Sequence, residues 1–305
     1  MTRINVPPAR DGQAAATVIA QIPTLRRDGP QGGQWSIASV PSFTNRTYRI
    51  ECGGEAYILR LPGQGTERYI DRTGEAANAR AAASIGIAPE IIFADPASGV
   101  MVTRFIQGAE PLSPSRLRSR AELEAAVGLL HKLHTSALTF QGVMRLYPKM
   151  DEYLGLAATP SLQQLRRAVE PLRGMLDPGW GPSRPCHIDP APHNFIAAGP
   201  AHYLIDWEYS AMCEPLWDLA GLSIEGEFDA GQDSAMLARY FGAAEPRWIS
   251  RLFLYRLVLR LLAASWWAVK LADEGASHAA TLSRLEAGVA TDLGRGDIDQ
   301  HIAAA

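Results

Sequence analysis

The stretch His187-Ile188-Asp189-Pro190-Ala191-Pro192-His193-Asn194 limits what this chain can form more than any other. Pro190 and Pro192 each remove a backbone donor and fix φ, so these residues are excluded from helix and must make a loop. A short apolar run, Tyr203-Leu204-Ile205, then ends in Asp206-Trp207-Glu208, with Asp206 twelve positions after Asn194. A loop bearing Asp and Asn, followed by a strand that ends in Asp, has the residue types that phosphoryl transfer needs. That reaction requires a carboxylate to take the acceptor hydroxyl's proton and oxygen ligands to hold Mg2+ against nucleotide phosphates.

Asp189 is the expected base, since a loop can bring its carboxylate within hydrogen-bond reach of a hydroxyl. A lone loop Asp would otherwise be read as capping a turn. Asn194 offers a neutral carbonyl oxygen suited to a hard divalent cation, against the alternative of an Asx-turn. Asp206, at the end of an apolar strand, would be delivered rigidly and is the expected bridge between Mg2+ and phosphate. Glu208, on the same side of an extended chain, is a ligand for a second metal or the substrate, unless it is a solvated strand-end residue. His187 is expected to order the loop and not to bind metal. Asp218, in Pro215-Leu216-Trp217-Asp218-Leu219-Ala220, either accepts from the loop's backbone or is an ordinary helix-start Asp.

Composition narrows the partners. The chain has 305 residues, 47% of them hydrophobic, enough to bury a full core in one large domain or two lobes. A formal charge of -3 gives no basic excess for nucleic acid or an anionic membrane surface, which leaves a small molecule as the expected partner. Cys52, Cys186 and Cys213 are odd in number and lack metal-ligand spacing, which fits a reducing cytoplasm. The first residues, MTRINVPPARDGQ, carry no signal-like apolar core. Leu252 to Ala272 is apolar, but Arg256, Arg260 and Lys270 interrupt it, so it reads as a buried amphipathic helix and no membrane insertion is expected. The sequence leaves the oligomeric state open, a dimer included.

Along the chain, an N-terminal helix is expected around Ala14 to Ala20. Strands follow at Ser36 to Val40, Thr47 to Cys52 and Ala56 to Leu61, the last two joined by a Gly53-Gly54 turn. A helix over Arg68 to Ser84 should stop at Gly86, with further strands at Glu90 to Ala94 and Val100 to Ile106. The Gly, Pro and Ser content of Gln107 to Ser115 marks a linker, which divides the chain into residues 1–107 and 108–305 near Gly108. Helical patterns then cover Ala121 to Ser136, Pro148 to Ala157, Ser161 to Leu176, Leu216 to Ile224, Ser234 to Phe241, Pro246 to Leu271 and Ala276 to Leu293.

The phosphates also need a cation from the small sheet. No lysine precedes Lys132, so Arg60 in Tyr57-Ile58-Leu59-Arg60-Leu61 is the natural contact, with Glu75 placed to hold it. Pro41-Ser42-Phe43-Thr44-Asn45-Arg46 falls where a phosphate-covering loop belongs. It has no glycine, so Ser42, Thr44 and Asn45 with backbone amides are the candidate contacts.

These residues together resemble the bacterial choline/ethanolamine kinase-like family, within the wider aminoglycoside phosphotransferase and protein-kinase-like group. The likeness rests on Phe43 to Tyr48, Tyr57 to Arg60, Ile70-Asp71-Arg72 with Glu75, Gly99 to Phe105, the proline-bearing loop, Ile205 to Tyr209 and Trp217 to Ala220. It implies a two-lobed protein-kinase-like α+β fold: a small antiparallel sheet with one helix, and a larger, mostly helical lobe. It also implies ATP in the cleft, its adenine against Phe105 to Gly108, and Mg2+. The family usually has Asn where this chain has Ile188. Choline kinases commonly carry two tryptophans at i, i+3 on a late helix; here Trp267 matches the second, Ala264 stands at the first and Trp266 is a neighbour.

A quaternary ammonium has no N–H donors and is best held by aromatic faces plus a carboxylate. Trp267, Tyr209, Phe228 and Tyr255 are the candidate walls and Glu225 the counter-charge, against the alternative that the tryptophans fill a core. The expected activity is ATP-dependent phosphorylation of a cationic amino alcohol such as choline or ethanolamine. The alternatives are an aminoglycoside or other small-metabolite phosphotransferase, and a nucleotide-binding pseudokinase.

Overall fold

The computed structural model describes residues 4–6, 12–28, 35–42, 45–63 and 65–305. Helices α1 (Gly12–Ile19) and α2 (Pro23–Asp28) come first, then strands β1 (Ser36–Val40), β2 (Arg46–Cys52) and β3 (Glu55–Leu61). Helix α3 (Arg72–Ser84) precedes β4 (Ile91–Asp95), β5 (Val100–Arg104) and the short β6 (Glu110–Pro111). Helices α4 (Pro114–Leu117), α5 (Arg120–His134), α6 (Leu146–Leu156), α7 (Pro160–Ala168) and α8 (Arg173–Leu176) lead to β7 (Arg184–Cys186). Strands β8 (Phe195–Ala198), β9 (Ala201–Leu204) and β10 (Ala211–Cys213) follow. The remainder is helical: α9 (Leu216–Glu225), α10 (Ala230–Phe241), α11 (Pro246–Glu274), α12 (Ala279–Leu293) and α13 (Ile298–Ala304). The elements gather into two compact units, Met1–Pro111 with Asn194–Ser210, and Leu112–His193 with Ala211–Ala305. The α+β architecture is two-lobed, a small sheet unit and a larger helical one.

In the first unit, an antiparallel sheet runs in the order β1-β2-β3-β5-β4. Gly53 and Gly54 make the β2–β3 turn with φ of 62 and 87°, values that side-chain-bearing residues adopt at a cost. Strand residues alternate between faces. Tyr48, Ile50, Tyr57, Leu59, Leu61, Val100 and Val102 therefore share one face, and Ala14, Ala15, Val18, Ile19, Ile22 and Leu25 pack onto it. The sheet thus carries α1 and α2 as well as the single helix expected. Arg60 lies between Leu59 and Leu61 and so faces the other way, paired in register with Thr47 and Met101. A second antiparallel sheet, β6-β8-β9, completes this unit.

Helix α3 begins at Arg72 and not at Arg68, because Asp71 caps it by accepting from the Thr73 amide at 3.0 Å; Thr66–Arg68 form a separate 3-10 turn. Its end agrees with the sequence, Gly86 adopting φ 72°. Small residues Ala76, Ala79 and Ala82 allow the helix to lie close to its neighbours.

The second unit is built around α11, which packs against α6, α9, α12 and α13. By length and composition Pro246–Asp273 could cross a membrane, and 61% of its most apolar window is buried inside the protein. Its arginines are used within the unit: Arg256 pairs with Asp233 of α10 and Arg260 with Asp292 of α12. The helix expected over Ser161 to Leu176 is divided into α7, a 3-10 turn Glu170–Leu172 and α8. Pro171 is the cause, since it offers no amide to an α-helical ladder. The short strand-like pieces expected between Arg184 and Ile205 are β7, β8 and β9, whereas β10, three residues long, is too short for a period-2 pattern to appear in the sequence.

Candidate active site

The first unit brings five charged side chains together. Glu75, in the first turn of α3, is 3% exposed and pairs with Arg60 and with Arg72, the latter at 2.8 Å. Arg60 Nη1 is 3.5 Å from Asp206 Oδ1, and Arg72 Nη1 is 3.3 Å from Glu208 Oε2. Arg72 is steered by a 2.8 Å bond from its Nη2 to Thr66 Oγ1, whose own hydroxyl donates to the Gly63 carbonyl. The Asn45 side-chain amide donates to Glu208 Oε2 at 3.3 Å, while its carbonyl accepts from the Gly63 amide at 3.4 Å. Asn45 is thus part of the cluster; Ser42 is exposed, and Thr44 lies outside the described residues.

Electrostatics order these groups. Burial pulls the Arg60 guanidinium down, but Glu75, Asp206 and Glu208 outweigh it and hold it above its ordinary value. Burial pushes the Glu75 carboxyl up, and Arg60 with Arg72 win, holding it below the usual range. Glu208 goes the other way: burial first, then the neighbouring Asp206, push it up to about 7 in spite of both arginines. Oxygens of Glu75, Asp206 and Glu208 lie within 4.8 Å of one another, a spacing that fits a divalent cation. Arg60 Nε and Nη2 are buried with no hydrogen-bond partner among the described residues. Two unused donors of a guanidinium fork beside a carboxylate trio suit a polyphosphate and its metal ion.

Glu208 reaches Asp206 in an unexpected way. The chain is not extended there: Asp206 has φ 64° and residues 208–209 turn, so the two carboxylates approach around a bend and not as alternate positions of a strand. Ile205 donates from its amide to the Asn194 carbonyl at 3.0 Å, which ties Asn194, in the 3-10 turn Pro192–Asn194, to the end of β9. Asn194 is 2% exposed.

In the second unit, the loop after β7 is held from α9. Asp218, fully buried, accepts from the amides of His187 and Ile188, each at 2.7 Å. Trp217 Nε1 donates to the Ile188 carbonyl at 2.9 Å. A Cβ on Gly221 would stand 3.0 Å from Pro190 Cγ, so the glycine allows the loop to lie against the helix. Asp189 is therefore flanked on both sides by fixed residues. Ile188 itself has φ 75°, a left-handed conformation that a β-branched residue adopts only under strain. His187 is wholly buried.

Two further residues belong to this arrangement and escaped the sequence reading. His134 Nε2 lies 2.9 Å from Asp218 Oδ2, and its Nδ1 lies 2.8 Å from the Tyr240 hydroxyl. The available signal was a histidine on the apolar face of α5, one residue after Leu133 and four after Leu130. Arg72, quoted only as part of a motif, likewise emerges as the second guanidinium on Glu75.

The aromatic candidates are dispersed through both units. Phe105, after β5, is half-buried, with the Arg49 guanidinium 4.3 Å above its ring. Tyr209 is half-buried in the turn that follows Glu208. Trp267 packs edge-on against Trp266 at 5.0 Å and lies 5.1 Å from the His278 ring. Phe228 is buried behind Gly226, where a Cβ would collide with its ring, and Glu225 is exposed at the end of α9. Tyr255 is buried, donates to the Leu176 carbonyl at 3.3 Å and packs on Trp180. It lines a small recess of about 90 Å3 with Trp217, Asp177 and Glu214.

Comparison with known proteins places these observations in context. Residues 36–252 match the phosphotransferase enzyme family, APH. Protein LicA of Haemophilus influenzae is 27% identical over 213 residues, covering 67% of this chain and 62% of that protein. The match therefore spans less than two thirds of that relative's length. A crystal structure of a choline/ethanolamine kinase family protein from Mesorhizobium loti superposes with a TM-score of 0.83 at 33% identity, over 97% of this chain and 99% of the other. The choline kinase LicA from Streptococcus pneumoniae gives 0.79 at 25% identity, over 92% and 99%.

Proposed function

We propose, for a chain that belongs to the phosphotransferase enzyme family and within it to the choline/ethanolamine kinase family, that the reaction is transfer of the γ-phosphoryl group of ATP to the hydroxyl of an amino alcohol such as choline or ethanolamine. The observation that carries this reading is Arg60, whose Nε and Nη2, buried and without a hydrogen-bond partner among the described residues, sit beside the carboxylates of Glu75, Asp206 and Glu208. Arg60 would hold the phosphates, with Glu75 fixing its orientation and Asn45, Ser42 and Thr44 as the further proposed phosphate contacts. Phe105 would face the adenine. Asn194 and Asp206 are the proposed ligands of Mg2+, with Glu208 beside them as a further metal or substrate contact. Mg2+, when bound, would neutralise charge on the phosphoryl oxygens.

In this reading Asp189 accepts the proton of the acceptor hydroxyl. The loop amides on its N-terminal side are spent on Asp218, so its carboxylate is oriented by fixed backbone and not by a mobile loop. His187 orders that backbone from a buried position. Trp267, Tyr209, Phe228 and Tyr255, with Glu225, are the proposed acceptor contacts. Ala264 at the first position of the late-helix tryptophan pair favours a second reading, in which the acceptor is another small metabolite.

A coupled assay of ADP release over amino alcohols, aminoglycosides and sugars tests both readings. Turnover is expected with choline or ethanolamine, and Asp189→Asn should lower kcat by about 10²- to 10⁴-fold with little change in ATP affinity. No turnover with any acceptor, while Mg-ATP still binds, would sink the enzymatic reading. Unchanged turnover in the variant would remove Asp189 from the role of base.

A further inference from the structure

Asp218 is fully buried and accepts three hydrogen bonds, from the amides of His187 and Ile188 and from the ring of His134. A carboxylate removed from water is costly unless its oxygens are satisfied, and only His134 among the three donors comes from a side chain. The carboxylate accepts and does not donate, so the proton of the His134 ring is on Nε2. In a neutral ring Nδ1 is then an acceptor, and the Tyr240 hydroxyl, 2.8 Å away, donates to it. Burial, with Cys186, Asp218 and Glu214 nearby, pushes that hydroxyl up, which keeps it protonated and able to donate. Tyr240 comes from α10, His134 from α5 and Asp218 from α9, so side chains of three helices form a relay of hydrogen bonds that ends on the backbone preceding Asp189.

We propose that His134 is a positioning residue for the catalytic loop: its Nε2–H fixes the Asp218 carboxylate on the His187 and Ile188 amides, and Tyr240 selects the tautomer that allows it. This rests on the reading of Asp189 as base. His134, Cys186 and Asp218 also lie close enough to hold a metal ion. Asp218 already receives three N–H donors, and burial pushes the Cys186 thiol well up, away from the thiolate a metal needs, so the trio acts as a hydrogen-bonded support.

The test compares His134→Leu with His134→Gln, whose amide nitrogen can replace Nε2 as donor. Steady-state kinetics and exchange of the His187 and Ile188 amides by NMR are measured on both and on wild type. His134→Leu should lose kcat on the order of 10- to 100-fold at nearly constant KM for ATP, as expected for a small misplacement of the reacting group. Its loop amides should exchange faster, and His134→Gln should recover most of both properties even where its melting temperature is as low. A folded His134→Leu with wild-type kcat, or a His134→Gln as slow as the leucine variant, overturns the proposal. Should the leucine variant not fold, ring 15N shifts of wild-type His134 decide: a proton on Nε2 supports the proposal, and a proton on Nδ1 alone overturns it. Wild type inactive on every acceptor, yet with protected loop amides and the Nε2–H tautomer, would defeat the kinase reading and leave the positioning role standing.

Discussion

Glu75 and Ile188 illustrate how much single residues are made to bear. Glu75 lies between two guanidinium groups with only 2% of its side chain exposed, so Glu75→Gln would leave Arg60 and Arg72 without their main counter-charge. Breaking a pair of this kind costs about 3–5 kcal/mol at neutral pH. The pH dependence follows from the direction of the shift. Glu75 is held below its ordinary value of 4.5, so its stabilisation is present above that pH and lost as pH falls through the lower folded value. Denaturant melts across the acid range should therefore show wild type losing stability below about pH 4.5, with a shallower loss for Glu75→Gln. Parallel acid limbs would contradict the assignment. Ile188 shows a different economy: its left-handed φ stores on the order of 1–3 kcal/mol, and hydrogen bonds from Trp217 and to Asp218 hold both ends of that residue in place.

At the scale of elements, α9 acts as the mould for the loop. Trp217, Asp218 and Gly221 lie within one turn and engage residues 187, 188 and 190. Gly221→Ala separates the helix's own preference from this duty. Alanine favours a helix interior by about 1 kcal/mol over glycine, while a methyl group 3.0 Å from Pro190 Cγ and 3.1 Å from Cδ must displace the loop. Overpacking of this kind costs about 1–3 kcal/mol, so the net loss of stability should be small. Turnover should fall much more, because the displaced residue adjoins Asp189. Thermal melts with kcat on one preparation check this, and a proportionate loss of both would assign Gly221 to packing alone. The long helix α11 makes a similar point in reverse: Arg256 and Arg260, which interrupt its apolar run, pair with acids on α10 and α12.

For the whole molecule, nucleotide binding should register as stability. A ligand that binds only the folded chain adds about 2.7 kcal/mol at a hundred times its dissociation constant. Mg-ATP should raise the melting temperature, and Asp206→Asn should lose most of that rise; a full shift in the variant would remove Asp206 from the metal site. Much of this was legible in the chain. Pro190 and Pro192 dictated a loop, the Gly53-Gly54 turn and alternating residues dictated the hairpin, and the residue types of Asp189, Asn194, Asp206 and Arg60 carried the chemistry proposed for the site, because each signal is local. The Arg68 start of α3 and the uninterrupted helix to Leu176 failed where capping by Asp71 and the missing amide of Pro171 override periodicity. The sequence by itself determined which elements form and which reactive groups they carry. Only the tertiary structure decided their partners: Asn45 with Glu208 across 163 positions, His134 with Asp218 across 84, and Arg72 on Glu75 and Glu208 together. The reason is physical: a hydrogen bond or ion pair between distant segments depends on which faces the core brings together, and no residue type or local spacing encodes that choice.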